Sequence, residues 1–224
     1  MPARLSAAQG QRALWVAALS GALAIAAAPW ALGQPVLAFV FKPLATLALI
    51  AYAWPRGRST PQVRRWVLAG LCLSWVGDVA LLWPQQGFLP GLVSFLLAHL
   101  CYLVGFTRGH PLARPWWPFG AYALVAGAVL WGLWPGVPAG LRAPVAGYVV
   151  CLAAMAAQAA VVWQRGAARG AGLALGGALF VCSDALLATN KFAAPLPMAS
   201  LWILSTYWVA QALIARGLEP PPSR

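Results

Sequence analysis

Carboxylates are nearly missing from this chain. It holds three Asp and Glu residues and two histidines among 224 positions, against fifteen Lys and Arg. That scarcity excludes several chemistries. A membrane metal hydrolase needs three or more His, Asp or Cys ligands around one ion. Only His99 lies in an apolar segment, and His110 sits beside Pro111 in a loop. The four cysteines, Cys72, Cys101, Cys151 and Cys182, form no CxxC pair and all fall in apolar segments. Small side chains of that kind pack between helices. No metal site is expected. Charge of either sign is also thin, at 8% of residues, where a soluble domain carries about 25%. With 62% hydrophobic residues and a mean hydropathy of +0.76, the composition is that of an integral membrane protein.

A bilayer core about 30 Å thick needs about 20 mostly apolar residues per helical span. On that measure the sequence predicts eight spans, at 13–32, 36–54, 66–83, 88–107, 116–134, 144–163, 171–189 and 198–215. Polar or Pro/Gly-rich stretches separate them, among them GQP at 33–35, PRGRSTPQVRR at 55–65 and PQQG at 84–87. Tryptophans mark the ends, as at Trp30, Trp54, Trp66, Trp83, Trp116 and Trp163, where amphipathic rings favour the headgroup layer. No loop is long enough to fold alone. The expected architecture is all-α, a polytopic membrane protein of eight transmembrane helices in one domain over residues 1–224.

The basic residues orient it. Arg4 and Arg12 precede the first span, Arg56, Arg58, Arg64 and Arg65 fill the second loop, and Arg108 and Arg114 the fourth. Arg165 and Arg169 lie in the sixth loop, and Arg216 and Arg224 follow the last span. The opposite side has Arg142 and Lys191. Basic loops stay cytoplasmic, so both termini are expected inside, in a bacterial-type cell membrane. The net charge of +12 is then a topology signal that also favours anionic lipid headgroups. No nucleic-acid partner is expected, because the arginines are scattered over short loops without a binding motif. A basic start, an apolar run and AAA at 26–28 also fit a cleaved signal peptide. The run continues to Leu32, however, and eight spans match the charge alternation better than seven.

Two of the three carboxylates stand inside apolar segments. Asp78 is at the centre of WVGDVALLW (75–83) and Asp184 at the centre of FVCSDALLAT (180–189). An ionisable residue within a span usually faces the bundle interior and marks function. Lys42 and His99 complete the set. Ser74 stands one turn before Asp78, Tyr102 three residues after His99, Tyr207 and Gln211 four apart, with Ser183 beside Asp184 and Asn190 and Lys191 just beyond it. Lys42, Asp78 and Asp184 each lie five to seven residues from the non-cytoplasmic end of their spans, so they are expected to meet at one level. A single Lys–Asp pair would serve equally well as a brace between helices. The second carboxylate leaves an unbalanced negative charge, which one carboxyl relieves by keeping its proton. An acid beside a carboxylate suits hydrolysis through a cationic intermediate. The D-x-x-L-L pattern recurs 106 residues later, which suggests a 4+4 parallel repeat with Tyr148 at the place matching Lys42;.

FKPL at 41–44, GDVALL at 77–82, F-x-x-G-x-x-x-F-x-x-x-H-x-x-Y from Phe88 to Tyr102, SDALLATNKF at 183–192 and YWVAQ at 207–211 occur in that order. Together they resemble the YhhN family of membrane proteins, which includes the lysoplasmalogenases. The resemblance implies an eight-helix hydrolase cleaving the vinyl ether of lysoplasmalogens to a fatty aldehyde and a glycerophospho-base. Its substrate would be a lysophospholipid, its surroundings membrane lipid, and it would need no cofactor. Asp78, Asp184 and Lys42 would be the catalytic set. His99, Tyr102, Ser183, Asn190, Lys191, Tyr207 and Gln211 would position water and the glycerol head. Two other classes fit the buried charges: a small proton-coupled transporter, and a non-catalytic lipid-binding membrane protein.

Overall fold

The structure is a computed structural model that describes the backbone of residues 2–218 and side chains from residue 8 onward. Among the described residues it has eight α-helices and no strand: α1 (Pro2–Ala26), α2 (Pro35–Ala53), α3 (Pro61–Ala80), α4 (Phe88–Thr107), α5 (Trp117–Leu133), α6 (Arg142–Gln164), α7 (Gly170–Phe192) and α8 (Ala199–Arg216). Two short 3₁₀ turns, Trp134–Gly136 and Ala139–Leu141, join α5 to α6. Prolines open α2, α3 and α5, where a missing N–H costs nothing and the fixed φ suits a helix. No helix has an acidic residue in its first turn, so the few carboxylates are not used as caps.

The eight helices follow the predicted segments, with α4 matching its segment at both ends. The largest departure is at the first: α1 stops at Ala26 and residues 27–34 form turns, so the apolar run to Leu32 does not continue as helix. Five helical stretches, at α2, α4, α5, α6 and α7, are long and apolar enough to cross a membrane among the described residues; α1, α3 and α8 do not meet that measure. In α3, Arg64 and Arg65 fall within the helix.

Exposure is inverted relative to a water-soluble bundle. Trp131 is 85% exposed and Leu124 76%, while Asp78 is 1% exposed and His99, Gln158 and Gln211 are 0%. Bare apolar surface on this scale belongs against another apolar phase, and polar groups turned inward are what a bilayer solvent imposes.

Close approach of the helices depends on small residues. On α3, Gly70 and Gly77 are seven apart. A Cβ on Gly70 would run into the Tyr102 ring, and one on Gly77 would lie 2.6 Å from the Phe95 ring. Phe95 and Tyr102 are also seven apart but in reverse order, so α3 and α4 run antiparallel with rings seated over glycines. The same device joins α7 to its neighbours, where Gly176 meets the Ala210 carbonyl and Gly177 the Ala156 backbone. Gly77→Val is expected to lower stability by about 1–3 kcal/mol, since overpacking forces neighbours from their rotamers. Thermal unfolding in detergent measures it; an unchanged midpoint would show that the α3–α4 contact is loose.

Candidate active site

Asp78 sits two residues before the end of α3 and is held from two other helices. Its Oδ2 accepts hydrogen bonds from the Thr46 hydroxyl on α2 at 2.6 Å and from the Tyr207 hydroxyl on α8 at 2.7 Å. Its Oδ1 faces the Lys42 ammonium at 3.8 Å. Lys42 and Thr46 are one turn apart on α2, so one helix face supplies both the cation and a neutral donor. The Trp208 Nε1–H donates to Thr46 Oγ1 at 3.2 Å, which leaves the threonine proton directed at the carboxylate. Behind Tyr207 runs a buried chain. Gln211 Nε2 donates to the Tyr207 oxygen at 3.2 Å, Tyr102 donates to Gln211 Oε1 at 2.7 Å, and Ser74 lies 3.4 Å from the Tyr102 oxygen. Because Tyr102 spends its proton on Gln211, Ser74 is the donor in that last contact.

Asp184, on α7, has a separate set of partners. The Tyr148 hydroxyl on α6 donates to its Oδ2 at 2.5 Å. His99 Nε2 on α4 lies 3.0 Å from the same tyrosine oxygen and 3.5 Å from the carboxylate. With the Tyr148 proton committed to Asp184, the His99 Nε2–H is the donor to the tyrosine oxygen. Its Nδ1 is buried with no hydrogen-bond partner among the described residues. The His99 ring meets the Phe180 ring edge-on at 4.6 Å, and Phe180 in turn meets Tyr207 edge-on at 5.5 Å. One aromatic ring therefore separates the two acid clusters on the interior side.

Both clusters face one cavity of about 940 Å³, whose wall includes Lys42, Asp78, Tyr148, Asp184 and Tyr207 and is otherwise mostly apolar. Ser183, Asn190 and Lys191 also line it. Ser183 donates to the Ile203 carbonyl at 2.9 Å and ties α7 to α8. Asn190 Oδ1 accepts the Leu196 N–H at 2.9 Å and shapes the turn after α7. Lys191 Nζ lies 3.4 Å from the Pro84 carbonyl and 4.4 Å over the Phe88 ring.

Three of the sequence-predicted residues stand elsewhere. His99, Tyr102 and Gln211 are absent from the cavity wall and fully buried behind it: His99 lies beside Asp184, while Gln211 and, through it, Tyr102 connect to Asp78 by way of Tyr207. Lys42 is engaged by Asp78, while the contacts of Asp184 come from Tyr148 and His99. Two partners were not foreseen as such. Thr46 could have been found four residues after Lys42, and Tyr148 stood at the position matched to Lys42 by the repeat.

Residues 37–218 match the YhhN family. The chain belongs to the YhhN family. The matched range contains Lys42, Asp78, Tyr148, Asp184 and Tyr207. The chain is 39% identical over 159 residues to lysoplasmalogenase TMEM86B of Sus scrofa, covering 68% of this chain and 62% of that protein. It is 35% identical over 190 residues to lysoplasmalogenase TMEM86B of Homo sapiens, covering 79% and 73%. It is 33% identical over 187 residues to a lysoplasmalogenase of Mycobacterium bovis, covering 76% and 65%. The chain thus spans between three fifths and three quarters of the length of these relatives. No solved structure matches it significantly. Family membership and the exposed apolar helices together make this an integral membrane protein.

Proposed function

We propose that the protein hydrolyses the vinyl ether of lysoplasmalogens, releasing a fatty aldehyde and a glycerophospho-base. The observation that carries this reading is a pair of carboxylates with unlike surroundings on the wall of one large, mostly apolar cavity. The similarity to lysoplasmalogenases of mammals and mycobacteria supports it.

The chemistry follows from the partners. Asp78 faces an ammonium and two hydroxyl donors, a setting that suits the base and the stabiliser of a cation. Lys42 is engaged there, and Asp184 meets Tyr148 and His99 instead of an ammonium. In this reading Asp184 is the proton donor, with Tyr148 donating to its other oxygen. Asp184 protonates the alkenyl carbon remote from the ether oxygen, and the adjacent carbon becomes an oxocarbenium ion. Asp78 stabilises that cation and takes a proton from the attacking water, the division of labour that paired carboxylates serve in glycoside hydrolysis. The hemiacetal then breaks its C–O bond: Asp78 passes its proton to the departing glycerol oxygen, the hemiacetal hydroxyl returns a proton to Asp184, and aldehyde and a glycerol hydroxyl leave with both carboxyls restored. No cofactor enters the balance.

The same reading takes the whole chain as one domain with eight spans and both termini in the cytoplasm. The positions of the arginines support it, since they cluster in the loops after α2, α4 and α6. A 4+4 parallel repeat is supported by the partners. Asp78 on α3 is met from α2 and α8, and Asp184 on α7 from α6 and α4. Exchanging the halves α1–α4 and α5–α8 turns one set into the other, and one 106-residue offset relates Lys42 to Tyr148 and Asp78 to Asp184.

Purified protein given lysoplasmenylethanolamine is expected to release aldehyde, and the saturated 1-O-alkyl analogue to give none. Equal turnover of the alkyl ether, or none of either, would end the proposal. Cysteines placed at Gln9 and Pro221 are expected to react with impermeant reagents only from the cytoplasmic side. Labelling of either from outside would overturn the eight-span topology.

A further inference from the structure

The cavity takes only one half of each helix from α2 to α8. From α7 it uses Val181 to Phe192, the C-terminal half, and from α6 Val145 to Ala153, the N-terminal half. From α4 it uses Phe88 to Phe95, from α5 Ala126 to Leu133, and from α8 Ala199 to Tyr207. In every case this is the half next to the loops after α1, α3, α5 and α7, which also contribute Pro29, Pro84, Val137 and Leu196. None of the arginine-bearing connections after α2, α4 and α6 reaches it. Toward the arginine side the bundle is closed by Tyr102, Met155, Phe180 and His99, all 0% exposed.

The wall also changes character along its length. At the rim stand Lys191, Asn190, Trp30 and Ser200, while the branch under α5 is Ala126, Val129, Leu130, Val149 and Leu152. Lys191 is exposed and has no carboxylate partner among the described residues; its contacts are one carbonyl and one ring face. It follows Asp184 by seven residues on α7, close to two turns, so its backbone stands about 10 Å further toward the rim on the same helix face. A lysophospholipid has the matching order of groups: a phosphate monoanion, a short glycerol bridge, the ether, then an apolar chain. α5, of which only Pro118 and Leu133 are buried, forms a thin wall beside the place the chain would occupy.

We propose that the site draws its lysophospholipid from the leaflet opposite the arginine-rich loops, with Lys191 binding the headgroup phosphate at the rim and the chain lying against α5. The substrate class rests on the function proposed above; the sidedness rests on the cavity wall and the arginine positions. In that arrangement a lysolipid in the cytoplasmic leaflet is not a substrate until it crosses the bilayer.

The test uses binding rather than turnover. Ala199→Cys places a thiol at the rim, and the unsubstituted protein, whose four cysteines lie within helices, sets the background. A membrane-impermeant maleimide is expected to modify this variant at least about tenfold faster in right-side-out vesicles than in inverted ones. The reverse preference would overturn the sidedness. The saturated 1-O-alkyl lysophosphatidylcholine is expected to protect the thiol, and to do so equally in an Asp184→Asn background. Lys191→Ala is expected to raise the concentration needed for protection roughly tenfold, Lys191→Arg to restore most of it, and protection by a phosphate-free monoacylglycerol to be unaffected by either. Unchanged protection by the phospholipid in Lys191→Ala would remove the phosphate assignment. Sided protection without aldehyde release from lysoplasmalogen would sink the hydrolase reading alone and leave the lipid site standing.

Discussion

Asp184→Asn is expected to leave a folded, lysolipid-binding protein whose vinyl-ether turnover falls about 100-fold or more. The amide keeps the size of the carboxyl and still meets the Tyr148 hydroxyl, but it has no proton to transfer to carbon. Stability should change little, because the contacts of Asp184 are with Tyr148 and His99 and it is not the partner of Lys42. Protonation of carbon is also expected to make the wild-type reaction slower in heavy water. The measurements are aldehyde release under saturating substrate, a binding assay with the alkyl analogue, and a thermal melt. A folded Asp184→Asn protein with near-normal turnover would eliminate the residue as the acid, and a variant that merely fails to fold would show a structural role.

Lys42 and Asp78 behave as a pair, and their variants separate stability from chemistry. Lys42→Met leaves a buried carboxylate without its cation, and Asp78→Asn leaves a buried ammonium without its anion. Each single change is expected to cost stability on the order of 3 kcal/mol, because an uncompensated charge in such a site is worse than none. Both should also lose turnover about 100-fold, since the charge that would stabilise the oxocarbenium ion is displaced or removed. The double variant Lys42→Met/Asp78→Asn is neutral, keeps the Thr46 and Tyr207 donors opposite an amide oxygen, and should regain most of the lost stability while remaining inactive. The coupling energy from that cycle is the quantity to measure. Recovery of activity along with stability would mean that the pair only braces α2 against α3.

These expectations differ because the two acids, alike in sequence context, have different neighbours. Within a helix, spacing is fixed by 3.6 residues per turn, so the Lys42 and Thr46 pair, the Tyr207 and Gln211 pair and the run from Asp184 to Lys191 could all be placed on common faces before any coordinates. Which helix faces which, and at what rotation, depends on how side chains interlock between segments far apart in sequence. Seating Phe95 and Tyr102 over Gly77 and Gly70 sets the α3–α4 contact, and with it the inward turn of His99 behind the cavity. His99, Tyr102 and Gln211 stand behind the cavity wall and not on it, because polarity alone does not distinguish a cavity wall from the layer behind it.

Composition and the positions of a few charges were enough, taken alone, to establish helices in a bilayer and to single out Asp78 and Asp184 as carboxylates within apolar segments. Water and lipid impose those features on any chain: apolar runs of bilayer length must be helical, and a scarce carboxylate within one must have a partner. The identity of each partner belonged to the tertiary structure. Lys42 went to Asp78 and Tyr148 to Asp184, and the cavity opened toward one set of loops only. Such choices are made by contacts of less than about 4 Å between helices, and the register of those contacts is written in no single segment.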